Sequence, residues 1–188
     1  MSLVSRRALL GSLAIGVGGQ LLPRTAAATL VRGMTLRELV SRSHHVLVGT
    51  PGESRCVYLV IGGRRMVVTE TQLRVEGALA KAAPSERVIT VRTLGGQLDG
   101  VGELVDGQAE LQRGELCAGF LERGPDGACW FTGMAQGHYP IQSNEGALLL
   151  RASPKLPTIR DWERSAVKQL NGARLGDAER LVAEAVSQ

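Results

Sequence analysis

Over residues 65–77 the chain alternates with a period of two. Val67, Thr69, Thr71, Leu73 and Val75 fall on one side, and Glu70, Gln72, Arg74 and Glu76 on the other. Only an extended strand puts residues i, i+2 and i+4 on one face, and a polar opposite face marks a strand that covers a core with one side and meets water with the other. Residues 56–61 precede it across Gly62-Gly63, so the two runs form a hairpin. Further runs rich in Val, Ile, Leu and Thr occupy 45–50, 87–93, 115–121, 128–134 and 147–151, separated by glycine-bearing turns. That succession predicts a mainly β domain, an antiparallel barrel or sandwich. The glycines at 95, 96, 100, 102, 107 and 114 predict loops or bulged edge strands across the middle rather than a buried centre.

The period changes near the C-terminus. Thr158 and Asp161 have the spacing of a capping box, and Ile159, Trp162, Ala166 and Leu170 then recur at three- and four-residue steps until Asn171-Gly172. Leu175, Ala178, Leu181, Val182 and Ala185 make the apolar stripe of a second helix. The expected organisation is a β domain over 29–155 followed by two short helices over 156–188 that pack on it.

Residues 1–28 have a different character. Ser5-Arg6-Arg7-Ala8-Leu9-Leu10 opens an apolar, glycine-rich stretch to Leu22, followed by Pro23, Arg24 and Ala26-Ala27-Ala28. The stretch is shorter than the roughly 20 apolar residues of a membrane span. It resembles a twin-arginine export signal, with Arg6 and Arg7 as the motif and a cut between Ala28 and Thr29. The resemblance implies the twin-arginine translocase and a signal peptidase as partners, and folding in the bacterial cytoplasm before translocation. It further implies a periplasmic or secreted protein with no stable transmembrane segment after cleavage. No cysteine stands near the cut, so lipid attachment is not expected.

Removing the signal changes the charge argument. The chain carries 22 basic and 18 acidic residues, a formal +4. Without Arg6, Arg7 and Arg24 there are 19 basic against the same 18 acidic residues, a net of +1. A nucleic-acid partner, which needs a basic patch to neutralise several phosphates, is therefore not expected. The remaining 160 of the 188 residues make one domain, large enough to bury a core without a metal or a disulfide framework.

Cys56, Cys117 and Cys129 all lie in strand-like runs. An exported protein allows one bridge, and Cys117 with Cys129 is the candidate pair, because a turn through Arg123-Gly124-Pro125-Asp126-Gly127 lies between them. Three buried free thiols are the alternative.

The pieces over 46–141 resemble a small secreted barrel of the oligonucleotide/oligosaccharide-binding (OB) type, and more narrowly the netrin-like domains that include tissue inhibitors of metalloproteinases. The shared pieces are His45-Val46-Leu47-Val48-Gly49-Thr50, a long strand ending in Arg74-Val75-Glu76-Gly77, Val88-Ile89-Thr90-Val91 before a glycine loop, and Arg113-Gly114-Glu115-Leu116 leading to Phe120-Leu121. The resemblance implies a five-stranded closed barrel. The metalloproteinase inhibitors chelate zinc through an N-terminal cysteine, which a chain starting at Thr29 lacks, so that mechanism is not carried over.

No constellation names a reaction. His44 and His45 point to opposite faces of a strand, and no His-x-His or His-Glu-x-x-His spacing offers a metal two ligands on one side. There is no Gly-x-Ser-x-Gly elbow, and Glu70 and Glu76 read as a solvated strand face. No metal or cofactor is called for. Arg160, Arg164 and Lys168, at i, i+4 and i+8 of the expected helix, form a ridge suited to anionic lipid or an acidic partner, or simply a solvated face. Trp130, Phe131, His138 and Tyr139 are candidates for a ligand surface, with burial in the core as the alternative. The expected function is non-enzymatic binding or assembly in the envelope, with an unidentified envelope protein or small ligand. A cofactor- or metal-containing periplasmic enzyme and an inhibitor of a secreted protease are the alternatives.

Overall fold

The computed structural model describes residues 30–81 and 84–187; Arg6, Arg7 and the expected cut at Ala28 and Thr29 lie outside the described residues. In chain order the elements are β1 (Leu30–Arg32), α1 (Leu36–Arg42), β2 (His45–Ile61), β3 (Arg64–Ala80), β4 (Val88–Leu94), β5 (Gly96–Leu98), β6 (Val101–Glu103), β7 (Cys117–Arg123), β8 (Cys129–Phe131), β9 (His138–Asn144), β10 (Ala147–Leu150), β11 (Thr158–Arg160), α2 (Ala166–Leu170) and α3 (Leu175–Ser187). The fold is mainly β. Strand β2 pairs with β3, β3 with β4, β4 with β8, β8 with β7, and β7 with β2 again, so five strands form a ring-like sheet. Every contact in the ring is antiparallel except β4–β8, where Val91 lies beside Cys129 and Arg92 beside Trp130. The β9–β10 hairpin extends the sheet from β7, and β1 runs parallel to β11.

The two runs expected at 45–50 and 56–61 are one strand of 17 residues. Pro51 has no N–H to donate, and it sits at a register shift between Pro51 and Ser54, where the ladder tolerates it. Two more shifts, at Val46/Leu47 and Val48/Gly49, add the local twist that lets a long strand coil. At Gly49 the neighbouring strand comes so close that a Cβ would lie 2.8 Å from the Arg74 carbonyl oxygen and 2.9 Å from Leu73 Cγ. Only glycine fits there.

On β3 the expected core face is real: Val67 and Leu73 are fully buried. The opposite face departs from expectation at one residue. Glu70 is 6% exposed, not solvated. Its carboxylate accepts from Arg92 Nη2 at 2.7 Å and from Arg55 Nη2 at 2.9 Å, and Arg92 is paired in turn with Asp126. Burial works against ionisation of Glu70, but the two guanidiniums outweigh it and hold the carboxyl below its usual range.

Two apolar cores result. One fills the ring, with Leu47, Leu73, Val91, Leu121 and Phe131. The other lies on the outside of the sheet, where Val46, Phe120 and Tyr139 share a cluster with Leu39 of α1, Leu170 of α2 and Val182 of α3. Strand β7 contributes to both, so its first five residues are all buried and show no polar alternation.

The tail differs from the helix expected at 158–170. Residues 158–160 form β11 against β1, Asp161 takes φ 59°, and α2 begins only at Ala166, capped by Ser165 Oγ, which accepts from the Lys168 amide at 3.2 Å. Pairing with Leu30–Arg32 gives the backbone partners that a helical turn would have supplied. Arg160, Arg164 and Lys168 therefore stand on three different elements and form no single ridge. Helix α3 follows the predicted stripe, with Ala178 and Val182 fully buried. Helix α1 has a sequence signal of its own in Thr35-x-x-Glu38: the Glu38 amide donates to Thr35 Oγ1 at 3.2 Å and the Thr35 amide to Glu38 Oε2 at 2.8 Å. Among the described residues no helix is long and apolar enough to cross a membrane.

Candidate functional site

The inward side of the ring changes chemistry along its strands. Register sets Leu73 beside Ile89 and Thr71 beside Val91, then Thr69 beside Thr93 on one side and Cys56 on the other, with Ser54 beside Thr71. A run of apolar residues thus gives way to Ser54, Thr69, Thr71 and Thr93 on three adjacent strands. Ser54 Oγ and Thr71 Oγ1 are 2.9 Å apart, and Thr69 Oγ1 donates to the Gly95 carbonyl at 2.8 Å.

Over these hydroxyls lies the segment 95–111, which includes the β5–β6 hairpin. Its hold on the strands is specific. The Gly95 amide donates to the Val67 carbonyl at 2.8 Å, the Val67 amide to Glu103 Oε2 at 2.7 Å, and the Leu94 amide to Gln108 Oε1 at 3.1 Å. Gly96, at φ 137°, makes the approach possible, because a Cβ there would lie 2.6 Å from Cys56 Sγ and 2.7 Å from Thr69 Oγ1.

Between strands and cover is a cleft of about 760 Å³, within the size range of small-molecule sites. The four hydroxyl side chains form its floor, Leu104, Leu111, Leu156 and Pro157 supply apolar wall, and Glu103, Asp106, Glu110 and Lys155 are its charged residues. Lys155 Nζ lies 3.8 Å from Glu110 Oε2, with both side chains at least half exposed. The lining contains hydroxyls, carboxylates and one ammonium but no imidazole or thiol.

The residues singled out from the sequence lie elsewhere. Phe131, His138 and Tyr139 are 4%, 2% and 1% exposed, so they belong to the interior and not to a ligand surface. Phe131 and His138 meet edge to face at 5.1 Å inside the molecule, with His138 Nδ1 3.1 Å from Ser153 Oγ. Burial pushes the His138 pKa down to about 4. Tyr139 packs against Phe120 in the outer core, and its hydroxyl has no hydrogen-bond partner among the described residues. Trp130 alone of the four is half-buried, beside Arg92 on one strand and Glu122 on the other.

Cys56, Cys117 and Cys129 are free thiols. Cys129 pairs with Arg123, six residues along β7 from Cys117, which separates the candidate partners by about 20 Å of extended strand against the ~7 Å that a disulfide spans. The intervening turn joins the far ends of the two strands, so it brings Cys129 to the wrong end of β7. Burial, with a contribution from Glu115, pushes the Cys117 thiol up to about 12. His44 and His45 meet edge to face at 4.5 Å, and no group of three or more His, Cys, Asp or Glu among the described residues is placed to hold a metal.

The cleft itself was not singled out from the sequence. Its one legible sign is the placing of Thr69 and Thr71 on the core face of an otherwise apolar strand. No family model, curated protein or solved structure matches the chain.

Proposed function

We propose that this chain is an exported bacterial envelope protein that acts by non-enzymatic binding, with the cleft between β2–β4 and the 95–111 segment as its ligand site. The observation that carries the reading is the hydroxyl floor. Small polar side chains occupy inward positions that apolar ones would fill in a closed core, and they open onto a cleft of ligand size. The ring order β2–β3–β4–β8–β7 supports describing the domain as an OB-like barrel, a scaffold that carries binding sites on its strands and loops. Export rests on Arg6, Arg7 and the Ala28–Thr29 cut.

Both halves are testable on the full chain expressed with its own signal. Replacing Arg6 and Arg7 together by Lys leaves uncleaved precursor in the cytoplasm; processed protein outside the inner membrane at the normal level overturns the export route. Native mass spectrometry of the processed protein finds a small molecule retained by the wild type and lost from Thr93→Phe, whose ring fills the cleft floor. A bound prosthetic group with visible absorbance would replace binding by the cofactor-enzyme reading.

A further inference from the structure

We infer that the cleft takes a small cationic ligand with hydroxyls around its charge, a hydroxyl-bearing primary amine of the amino-sugar class. This rests on the cleft being a binding site. The two walls ask for different things. On the cover, Glu103 and Asp106 are three residues apart, and Glu103 is held in place by the Val67 amide at 2.7 Å, so its carboxylate is oriented before any ligand arrives. Glu110, the third carboxylate, already has Lys155 at 3.8 Å. With that pair neutralised, Glu103 and Asp106 leave the lining with two negative charges.

A neutral ligand would take water from the half-buried Glu103 and return no charge, and an anionic one would add repulsion from both carboxylates. An ammonium restores what the water gave. On the floor, Ser54 and Thr93 offer hydroxyls to a ligand, and Thr69, whose proton goes to the Gly95 carbonyl, can still accept, which together match the hydroxyls of a polyol. No aromatic residue lines the cleft to stack on a sugar ring. Selection therefore falls on charge on one side and hydroxyls on the other.

The test is calorimetric titration of the exported, processed protein at pH 6.5 and low salt. The probes are D-glucosamine, D-glucose, D-glucuronate and putrescine, with native mass spectrometry of the untitrated protein alongside. Glucosamine is expected to bind at least ten-fold more tightly than glucose or putrescine, glucuronate not to bind, and Asp106→Asn to narrow the margin of glucosamine over glucose while leaving glucose unchanged. Asp106 is exposed, so its variant keeps the fold. Equal binding of glucose or glucuronate overturns the charge selection, and equal binding of putrescine overturns the use of the hydroxyl floor. If none of the probes binds while a retained molecule is lost from Thr93→Phe, the ligand class is wrong and the cleft stands. If no probe binds and no molecule is retained, the cleft reading falls as well.

Discussion

The two ends of the ring share their strands and differ in what faces inward. At one end Leu47, Leu73, Val91, Leu121 and Phe131 meet across the ring and exclude water. At the other, β2, β3 and β4 present Ser54, Thr69, Thr71 and Thr93, and a separate segment closes over them. Apolar side chains gain by removing every water between them, about 25 cal/mol for each Å² buried, so the first end has no reason to keep a cavity. Hydroxyls lose by the same removal unless each finds a partner. Two of the four pair with each other and one with Gly95, and the remaining polar surface is left for solvent or a ligand. The difference shows how one β scaffold holds a core and a site without changing its backbone pattern.

Thiol chemistry gives the largest contrast. Cys117 is buried at the apolar end, its thiol pushed up to about 12, whereas Cys56 is half-buried beside Thr69 at the cleft end. Cys56 reacts with a small maleimide in the native protein. Cys117 reacts only through unfolding, slower by a factor of about 1000 or more for a domain of ordinary stability. Mass spectrometry of a labelling time course reads both, and comparable rates would erase the distinction between the ends.

Leu73→Ala removes the centre of the apolar end and costs about 2–5 kcal/mol, while Gln72→Ala on the other face stays within about 0.5 kcal/mol. Urea denaturation separates the two. Equal costs would put the wrong face of β3 inward.

His138 makes the apolar end sensitive to pH. Its folded pKa of about 4 lies below the ordinary 6.5, so the unfolded chain binds the proton more readily. Stability is full above pH 6.5 and falls with pH toward 4, by about 1.4 kcal/mol per unit and about 3 kcal/mol in all. His138→Gln flattens urea midpoints measured between pH 7 and 4.5, whereas Thr93→Val at the other end leaves the slope unchanged. A slope unaffected by His138→Gln would assign the titration to another group.

The smallest effect belongs to the hydroxyl floor. Thr71→Val replaces a hydroxyl by a methyl of similar volume and leaves Ser54 without its partner, a cost of about 1 kcal/mol or less because Ser54 is exposed and water replaces the lost bond. A loss as large as that of Leu73→Ala would mean that the floor is a second core.

Much of this architecture was legible in local pattern. Periodicity identified β3 and its inward face, Gly62-Gly63 identified the hairpin, and the stripe from Leu175 to Ala185 identified α3, because each signal is carried by neighbours in the chain. The helix expected from Thr158 failed where a local signal met a distant strand, β1, that offered its backbone better partners.

Periodicity alone was enough to say that the chain is mainly β, which side of β3 is buried, and where the second tail helix runs. Only the tertiary structure decided that β4 meets β8 and closes the ring, that Glu70 is buried between Arg55 and Arg92, and that the glycine-rich segment covers the hydroxyls of three strands. The reason is physical: alternation reports which way a side chain points, whereas burial of a charge or a hydroxyl depends on the partner that reaches it. In this fold those partners stand between about fifteen and forty residues away in the chain, from Arg55 on Glu70 to Glu103 on Val67.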